Sequence, residues 1–493
     1  MILYVKNHNF NYELEKLIRI FFPNDKIVQK DYLEMKTTDN EYVYTELSEE
    51  KDKYDLKMKV KLGEFEVNKE ANVEKIFEDN LLECERVFAV NLFEILKNFT
   101  KRTPPWGILS GVRPVKLLRT IISEAGKEGA VKYFKEKFLV NENKIKKSLD
   151  VLGVQDKILK LSKENSFSLY VAIPFCPTRC SYCSFVSHSI ERTNKLIPIY
   201  LELLLKELEY TGKIVKELKL RLESVYIGGG TPTTLDHNQL IVLIESIYKN
   251  FDMNTCREFT VEAGRPDTIN EEKLKVLKLF GVTRISINPQ TFKEETLKLI
   301  GRKHTVEDTL NAYNLAVKCG IDNINMDLIA GLPGEDQDDF INSLENVCKL
   351  GPKNITIHTL SLKRASRMNF LNTKIAIEDD LAIEKMLNFS DEKLYDENYY
   401  PYYLYRQSKM LGNLENTGFS KRGFENLYNI FIMEEIHSII SCGASGITKL
   451  KNPYNGQIER ICNFKFAYEY IDRFNEVISR KDRVRIFYEE FSR

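Results

Sequence analysis

The sequence has few of the features that mark secreted, membrane-bound or nucleic-acid-binding proteins. No apolar run approaches the ~18 residues that a membrane-spanning helix needs, and the first ten residues turn polar too early for a signal peptide. The 72 basic and 72 acidic side chains balance to a net charge of zero, which argues against a general binder of nucleic acid or anionic membranes. The nine cysteines have no disulfide-framework spacing. We therefore expect a cytoplasmic protein with reduced thiols.

The chain also lacks short-period repeats and low-complexity tracts. Its only tryptophan, Trp106, lies in the Pro- and Gly-punctuated segment KRTPPWGILSGVRPVKLL, which we interpret as a domain junction. A chain of 493 residues has room for two or three domains. We predict four segments: an N-terminal α/β extension (1–100), a helical linker (101–165), a central α/β domain (166–370) and a C-terminal α+β covering domain (371–493).

From residue 166 the sequence alternates short β-branched or aromatic runs with longer amphipathic stretches. This alternation is typical of βα units that build a parallel sheet. The predicted strands are SLYVAIPF, ESVYIGG, EFTVEA, RISINP, NINMDLIAG and NITIHTL. Six units are too few for a closed eight-stranded barrel and favour a partial (β/α)6 barrel. In such folds, ligands bind where loops follow the carboxyl ends of the strands.

Three cysteines, Cys176, Cys180 and Cys183, follow the first predicted strand with C-x3-C-x2-C spacing. Three thiolates on one short loop match three irons of a [4Fe-4S] cluster in number and softness, and leave the fourth iron open for chemistry. A structural zinc with His188 as its fourth ligand is compatible with the same spacing. The spacing alone leaves both open, but zinc does not explain the motifs after the other strands.

Distinctive residues follow four further strands. The turn GGGTPT, residues 228–233, lacks Cβ atoms at its three glycines, which permits close approach of a ligand to the backbone. Glu262, Gln290 and Asp327 come at the ends of the next three strands. A carboxylate at such a position can accept hydrogen bonds from an ammonium group or a ribose diol, and the alternative for Glu262 and Asp327 is a solvated loop carboxylate. Because these loops share one rim of the sheet, we expect the groups to meet at one site.

These motifs resemble those of a known family. CPTRCSYC is similar to the cluster loop of the radical S-adenosylmethionine (SAM) superfamily. SLYVAIPFC together with GGGTPT resembles the oxygen-independent coproporphyrinogen III oxidase (dehydrogenase) family and its haem-chaperone relatives. PWGILSGVRPVK and YYLYRQSKMLGNLENTGF are similar to the longer clostridial and bacillus-type branch, which carries an N-terminal extension. The resemblance implies a partial radical SAM barrel with added N- and C-terminal parts.

The resemblance also implies roles for individual residues. Cys176, Cys180 and Cys183 would hold the cluster, and its open iron would chelate the methionine end of SAM. Contacts to one or two SAM molecules are implied for Tyr170, Tyr182, Gly229, Gly230, Thr231, Glu262, Gln290, Arg302 and Asp327. Among these, Tyr182 matches the aromatic residue beside the adenine, and the glycine turn matches the one that binds the methionine amine.

The reaction implied by the resemblance is radical chemistry. A reduced cluster would cleave SAM to a 5'-deoxyadenosyl radical, which would take a hydrogen from the β-carbon of a substrate propionate. Loss of CO2 and one electron would leave a vinyl group, and two rounds would convert coproporphyrinogen III to protoporphyrinogen IX in porphyrin and haem biosynthesis. The implied partners are the tetrapyrrole and a low-potential electron donor of the flavodoxin or ferredoxin type. We expect a monomer.

Departures from the oxidase pattern leave the substrate open. The oxidases carry a fourth cysteine two positions after the third, where this chain has Phe185, as the haem chaperones do. The chaperones' His-Asn-x-x-Tyr-Trp stretch is absent from the sequence too. One alternative is a haem chaperone. A second is an enzyme that performs radical chemistry on another tetrapyrrole, such as methylation or ring opening of haem, and a third is a zinc-stabilised interaction protein.

A tetracarboxylate macrocycle needs cationic and aromatic partners. Candidates from the sequence are Lys363, Arg364, Arg406, Lys421, Arg422, Tyr402, Tyr403 and Tyr405. His358, at the end of the sixth predicted strand, is a further candidate. The alternatives are solvated basic residues, core tyrosines and a hydrogen-bonded structural histidine.

Overall fold

The computed structural model describes residues 1–23, 25–36, 38–75, 80–111, 113–185, 188–361, 380–407 and 410–490. The chain divides into two compact units. The first consists of Met1–Leu149 with Arg406–Leu414, and the second of Asp150–Tyr405 with Glu415–Arg493. The division into four segments stays a prediction from the sequence.

The first unit is built on a five-stranded sheet. Its strands are β1 (Ile2–Lys6), β2 (Val28–Asp31), β3 (Glu41–Glu49), β4 (Lys53–Leu62) and β5 (Phe65–Glu74), and its helices are α1 (Asn11–Phe21), α2 (Asn80–Thr100) and α3 (Pro114–Lys132). A further helix, α4 (Glu142–Leu159), continues along the chain into the second unit. The strand order is β2-β1-β3-β4-β5, with parallel pairs at β1 and antiparallel pairs from β3 onward. Apolar side chains of α1 and α2 form one core with those of the sheet.

The second unit is built on an eleven-stranded sheet. The strands after β5 are β6 (Ser166–Ile173), β7 (Phe175–Cys176), β8 (His188–Ser189), β9 (Arg221–Gly229), β10 (Glu258–Glu262), β11 (Arg284–Ser286), β12 (Ile324–Ala330), β13 (Asn354–Thr359), β14 (Tyr400–Tyr405), β15 (Asn416–Ser420), β16 (Ser438–Cys442), β17 (Ile447–Lys451) and β18 (Ile458–Cys462). Apart from β7 and β8, which pair with each other, they form the order β14-β15-β13-β12-β11-β10-β9-β6-β16-β17-β18. The neighbours β6, β9, β10, β11, β12 and β13 are all parallel, which confirms the six predicted βα units.

Helices separate most of these parallel strands along the chain. They are α5 (Ile190–Thr193), α6 (Ile197–Glu217), α7 (His237–Asn250), α8 (Glu271–Leu279), α9 (Glu294–Leu299), α10 (Val306–Lys318) and α11 (Gln337–Leu350), followed by α12 (Asp380–Asp396), α13 (Leu427–Glu434), α14 (Ala467–Asp472) and α15 (Phe474–Glu489). Asp236, Thr305 and Asp336 begin three of them with capping boxes. Each cap determines where its helix starts, and therefore how long the loop after the preceding strand can be.

The C-terminal region contributes strands to both edges of the parallel core. β15 pairs antiparallel with β13, and β14 pairs with β15. On the other side, β16 runs parallel to β6. The turn SCGASG at the carboxyl end of β16 therefore lies on the same rim as the loop that follows β6.

Packing requires a glycine at position 418 in β15, one of these C-terminal strands. A Cβ atom on Gly418 would overlap the ring of Tyr403, whose side chain is buried. We expect Gly418→Ala to lower the free energy of unfolding by ~2 kcal/mol, as overpacked cores do, in urea denaturation. Gly153→Ala in α4 is the matched control, because nothing lies within 4 Å of the added Cβ, and it should be neutral or stabilising. Equal stability of the two variants would contradict this reasoning.

Candidate functional site

Four of the five predicted motifs lie where loops leave the carboxyl ends of parallel strands. The cysteine loop follows β6, the glycine turn closes β9, Glu262 is the last residue of β10, and Gln290 lies four residues beyond β11. Asp327 differs, because it lies in the middle of β12, which continues to Ala330. The prediction that Asp327 ends its strand is wrong. It nevertheless joins the same region, since the Gln290 amide donates to the Asp327 carbonyl at 2.9 Å.

The Asp327 carboxylate is held by polar neighbours. Asn325 Nδ2 donates to it at 2.7 Å, and His358 Nε2 lies 3.5 Å away. Burial by itself raises the pKa of Asp327, but the hydrogen bonds from His358, Asn325 and Thr356 outweigh burial and leave the pKa below its usual range. Asp327 is therefore an anion at neutral pH, and His358 is placed as its hydrogen-bonding partner.

The three cysteines of the loop after β6 lie close together as free thiols. Cys180 is buried, while Cys176 and Cys183 are partly exposed. Burial, together with the neighbouring Cys180 and Cys176, raises the pKa of the Cys183 thiol to about 11. Iron binds the thiolate form, so assembly of a cluster on these thiols would release protons. The Thr231 hydroxyl donates to Cys176 Sγ at 3.5 Å, which links the loop to the glycine turn.

The segment between α9 and α10 accepts hydrogen bonds from the cysteine loop. The Ser181 amide donates to the Ile300 carbonyl at 2.9 Å, and the Thr178 hydroxyl donates to the Gly301 carbonyl at 2.9 Å. Gly301 has φ +78°, and a Cβ there would lie only 3.4 Å from the Arg179 carbonyl oxygen. The loop between α9 and α10 thus helps to fix the position of the cysteine loop through these two hydrogen bonds.

The zinc alternative requires His188 as a ligand, and the structure gives this histidine another partner. His188 Nε2 accepts a hydrogen bond from the Ala467 amide at 3.2 Å, and its ring packs edge-on against Phe466 and Tyr468. In the described part of the chain, no group of three or more His, Cys, Asp and Glu side chains is arranged to hold one metal ion. In a [4Fe-4S] cluster each cysteine binds a different iron, so the three thiols need not converge on one atom.

The glycine turn is shaped by contact with the cysteine loop. The Gly230 amide donates to the Ile173 carbonyl at 2.8 Å, and the Thr231 amide donates to the Phe175 carbonyl at 2.7 Å. A Cβ on Gly230 would lie 2.5 Å from the Phe175 oxygen, and Gly229 has φ +107°. Because these amides are already engaged, what the turn can offer a ligand is carbonyl oxygens, which suit an ammonium group.

Glu262 lies beside this turn with a perturbed carboxyl group. Tyr226 donates to Glu262 Oε1 at 2.5 Å, and a Cβ on Gly228 would come within 3.1 Å of the carboxyl group. Burial raises the pKa of Glu262 to about 7, and the nearby Asp327 adds to the effect. A carboxyl group with this pKa exchanges its proton easily near neutral pH when a cation approaches.

Three stacked tyrosines lie next to Glu262. The ring centroids of Tyr226 and Tyr428 are 4.4 Å apart, and Tyr170 lies 6.0 Å and 5.9 Å from them. Burial raises the pKa of each hydroxyl well above its usual value, so all three are neutral. Sequence reasoning identified Tyr170 and missed Tyr226 and Tyr428. Tyr226 was detectable, since strand alternation puts it on the same face as Gly228. Tyr428 was not, because it lies in α13, far along the chain from β6 and β9.

Arg302 and Tyr182 form the remaining part of the predicted set. Arg302 is 6 % exposed, and its Nη1 donates to the carbonyls of Asn288 and Gly264. Burial lowers the pKa of Arg302, but the adjacent Tyr182 and Cys180 more than compensate, so the guanidinium stays charged. Asn288 Oδ1, next to it, is buried without a hydrogen-bond partner among the described residues. An unpartnered polar atom here fits a site that binds a polar ligand.

Most of the basic and aromatic candidates for tetrapyrrole contact have other roles. Arg406 donates to the carbonyls of Leu109 and Asn413 and lies over the Trp106 ring. The remaining described candidates are engaged or enclosed as follows: Lys421 bonds the Glu397 carbonyl, Arg422 lies over the Tyr400 ring, Tyr402 and Tyr403 are buried, and Tyr405 is stacked on Tyr403. Lys363 and Arg364 lie outside the described residues.

No helix in the described ranges is long and apolar enough to cross a membrane.

Residues 170–347 match the sequence profile of the Radical SAM superfamily. The chain is similar to the oxygen-independent coproporphyrinogen-III oxidase-like protein HemZ of Bacillus subtilis (strain 168), with 41% identity over 391 residues, 78% of this chain and 78% of the relative. It is also similar to the heme chaperone HemW of Haemophilus influenzae, with 29% identity over 307 residues, 62% of this chain and 75% of that protein.

Among solved structures, the chain has the fold of coproporphyrinogen III oxidase (HemN) from Escherichia coli. The TM-score is 0.52 at 22% identity, and the match covers 65% of this chain and 71% of the oxidase. The sequence relative and the fold match are thus both coproporphyrinogen III oxidases or proteins similar to them. By its extensive identity to HemZ, this chain belongs to the oxygen-independent coproporphyrinogen-III oxidase-like family of the radical SAM superfamily.

Proposed function

We propose that this chain is an enzyme that removes two propionate carboxyl groups from coproporphyrinogen III without oxygen and forms protoporphyrinogen IX. Membership of the superfamily implies a [4Fe-4S] cluster and SAM as cofactors. The observation that carries the proposal is the meeting of three cysteines, the glycine turn and Glu262 at one rim, in a chain so similar to a coproporphyrinogen-III oxidase-like protein.

The chain's own residues supply position and exclusion of water. Cys176, Cys180 and Cys183 would hold the cluster, and the carbonyls of the glycine turn would hold the methionine ammonium. When bound, the cluster and SAM together supply a carbon radical able to remove hydrogen from an unactivated C–H bond. Glu262 would accept hydrogen bonds from the nucleoside or the amine, and the tyrosine stack would shield that side from water.

Three further polar side chains outside the cysteine loop and the glycine turn are proposed to bind SAM. Gln290 lies in the loop after β11, Arg302 between α9 and α10, and Asp327 within β12. All three would contact SAM, with room for a second SAM molecule proposed from the family resemblance. Tyr182, beside Arg302, would lie by the adenine. Each propionate that becomes a vinyl group loses CO2, one hydrogen atom, which the radical takes, and one electron, which a one-electron acceptor must take up. A low-potential donor is required separately, because cleavage of SAM consumes one electron from the reduced cluster.

A haem-binding chaperone is the second candidate, and two observations favour it. Phe185 takes the position of the oxidases' fourth cysteine, and its side chain is 65% exposed just beyond the cysteine loop. Several relatives of this chain are heme chaperones, among them HemW of Bacillus subtilis, at 36% identity over 194 residues. Such a protein would bind haem stoichiometrically without turnover. Radical chemistry on another tetrapyrrole is the remaining enzyme alternative.

An anaerobic assay tests the proposed function. The iron-reconstituted protein is mixed with coproporphyrinogen III, SAM and a low-potential reductant, and the tetrapyrroles are followed by mass spectrometry. Stepwise loss of two carboxyl groups in step with 5'-deoxyadenosine supports the decarboxylase. If 5'-deoxyadenosine forms while the porphyrinogen stays intact, the substrate assignment falls. Tight haem binding with no SAM cleavage would favour the chaperone.

The pKa of Glu262 predicts a pH dependence of SAM binding. SAM carries a net positive charge, so its binding beside Glu262 favours the carboxylate and releases a proton when the free group, with a pKa of about 7, is protonated. Binding should tighten as the pH rises from 6 to 8, by at most roughly tenfold per pH unit below the pKa. Isothermal titration calorimetry at several pH values, in buffers of different ionisation enthalpy, measures both affinity and proton release.

Glu262→Gln is the matched variant for this prediction. It keeps the size of the side chain and removes the titration, so its affinity should be weaker at pH 8 and independent of pH. The cluster content should stay at the wild-type level, because Glu262 does not touch the cysteine loop in the contacts described above. A variant with wild-type affinity and the same pH profile would remove Glu262 from the SAM site.

A further inference from the structure

A second loop of the rim carries a buried arginine that the sequence motifs did not identify. Arg265 follows β10 in the segment AGRPD and is 3% exposed. Asp267 binds it with two parallel hydrogen bonds, from Nε to Oδ1 and from Nη2 to Oδ2, both at 3.1 Å. A bidentate carboxylate neutralises and orients a guanidinium, and fixes the direction of its remaining N–H groups.

The free end of this guanidinium points into the cysteine loop. Arg265 Nη1 donates to the Thr178 carbonyl at 3.3 Å and lies 3.1 Å from the Thr178 hydroxyl. The same nitrogen lies 3.9 Å from Cys180 Sγ, at the long end of hydrogen bonds to sulfur. Arg265 is thus anchored on β10's loop by Asp267 and reaches both the backbone of the cysteine loop and one of its three sulfur atoms.

Cys180 is the most enclosed of the three cysteines and has a second arginine near it. Arg302 also lies beside Cys180, on the segment that supports the loop through Ile300 and Gly301. Two buried guanidinium groups therefore lie near one sulfur atom, and only Asp267 forms an ion pair with either of them among the described residues. Buried positive charge without full compensation stabilises added negative charge nearby.

We propose that Arg265 is a positioning residue that fixes Cys180 and raises the reduction potential of the cluster by donating to its sulfur. The inference rests on the proposed role of Cys176, Cys180 and Cys183 as cluster ligands. Reduction of a [4Fe-4S] cluster adds one electron, and hydrogen bonds to the ligand sulfurs together with nearby cations stabilise the reduced form. Arg265 acts through Cys180 and needs no contact with SAM or substrate.

The test is a redox titration of the reconstituted protein, followed by electron paramagnetic resonance, with iron content measured on the same samples. In Arg265→Gln the ratio of reduced to oxidised cluster at a fixed potential should fall about tenfold, equivalent to a shift of about 59 mV to lower potential for a one-electron couple. Arg265→Lys keeps the cation and should recover part of the shift. Arg485→Gln is the matched control, since that arginine pairs with Glu217 and Asp482 on α6 and α15.

Thr178→Val separates positioning from electrostatics. This variant removes a hydroxyl that Arg265 contacts and that donates to the Gly301 carbonyl, and it leaves the guanidinium beside Cys180. If donation to the sulfur sets the potential, Thr178→Val protein with full iron content should have a potential near that of the wild type. A potential in Thr178→Val as low as in Arg265→Gln would overturn the role of the donor. Fully loaded Arg265→Gln and Arg265→Lys proteins with the wild-type potential would overturn the proposal too. If Arg265→Gln binds no iron, the potential of Arg265→Lys decides.

The same samples separate this proposal from the proposed function. A wild-type protein that assembles no cluster refutes the cluster ligands and this inference with them. A wild-type protein with a cluster, whose potential does not depend on residue 265, refutes only the role of Arg265.

Discussion

Cys180→Ser is expected to abolish the cleavage of SAM. Cys180 is the most buried of the three loop cysteines and has arginines beside it, so a serine hydroxyl there cannot replace a thiolate as a soft iron ligand. Changes to groups around a metal site already cost ~10- to 100-fold, and loss of a direct ligand should cost at least ~100-fold in the formation of 5'-deoxyadenosine. Iron analysis and chromatography of 5'-deoxyadenosine after anaerobic reconstitution measure the two effects.

Cys462→Ser is the matched control for this change. Cys462 is an exposed free cysteine at the end of β18, and the same chemical substitution there should leave iron content and SAM cleavage unchanged. A Cys180→Ser protein with full iron content and undiminished cleavage would remove Cys180 from the cluster. Equal losses in both variants would point to a non-specific effect of replacing a cysteine instead of ligation.

Gly230→Ala should also reduce cluster binding, by a steric route. The new Cβ would lie 2.5 Å from the Phe175 carbonyl oxygen and 2.9 Å from that of Ile173, and both are backbone atoms. Moving them breaks the two hydrogen bonds that join the glycine turn to the start of the cysteine loop. Since Cys176 directly follows Phe175, the ligands would be displaced. We expect a loss of about 3 kcal/mol in the free energy of unfolding and several-fold less bound iron.

A graded series checks that the effect is local. Gly264→Ala places its Cβ 3.1 Å from Asn288 Nδ2, a side-chain atom that can move, so it should be milder. Gly153→Ala, with nothing within 4 Å, should retain both stability and iron. The order Gly230, Gly264, Gly153 in iron loss is the expected result. Wild-type iron content in Gly230→Ala would show that the turn does not position the cysteine loop.

The local pattern of the sequence was sufficient for the parallel core of the second unit. Each of the six predicted strands corresponds to an observed strand, because β-branched runs between amphipathic stretches have few alternatives to a buried parallel sheet. Chain connectivity then places the cysteine loop, the glycine turn and Glu262 on one rim without any knowledge of packing. The cluster was predictable for the same reason, since its three proposed ligands lie within eight residues of each other.

Contacts between distant segments were beyond such reasoning. Asp327 was expected at the end of its strand, but β12 continues beyond it to Ala330, and Gln290 in the loop after β11 forms a bridge with Leu328 of β12. His188 was considered as a zinc ligand, yet α14 supplies an amide that binds its ring nitrogen. In both cases the decisive partner is set by how two elements pack, and no short-range pattern encodes that.

By itself, the sequence determined the βα series, the cluster loop and the rim on which the candidate site lies, because periodicity and spacing are local properties of a chain. Only the tertiary structure decided that Tyr428 stacks on Tyr170 and Tyr226, that Arg265 reaches Cys180, and that β16 extends the sheet beside β6. These contacts join residues tens to hundreds of positions apart. They depend on the shapes and charges of buried side chains in three dimensions, which the order of residues specifies only through folding.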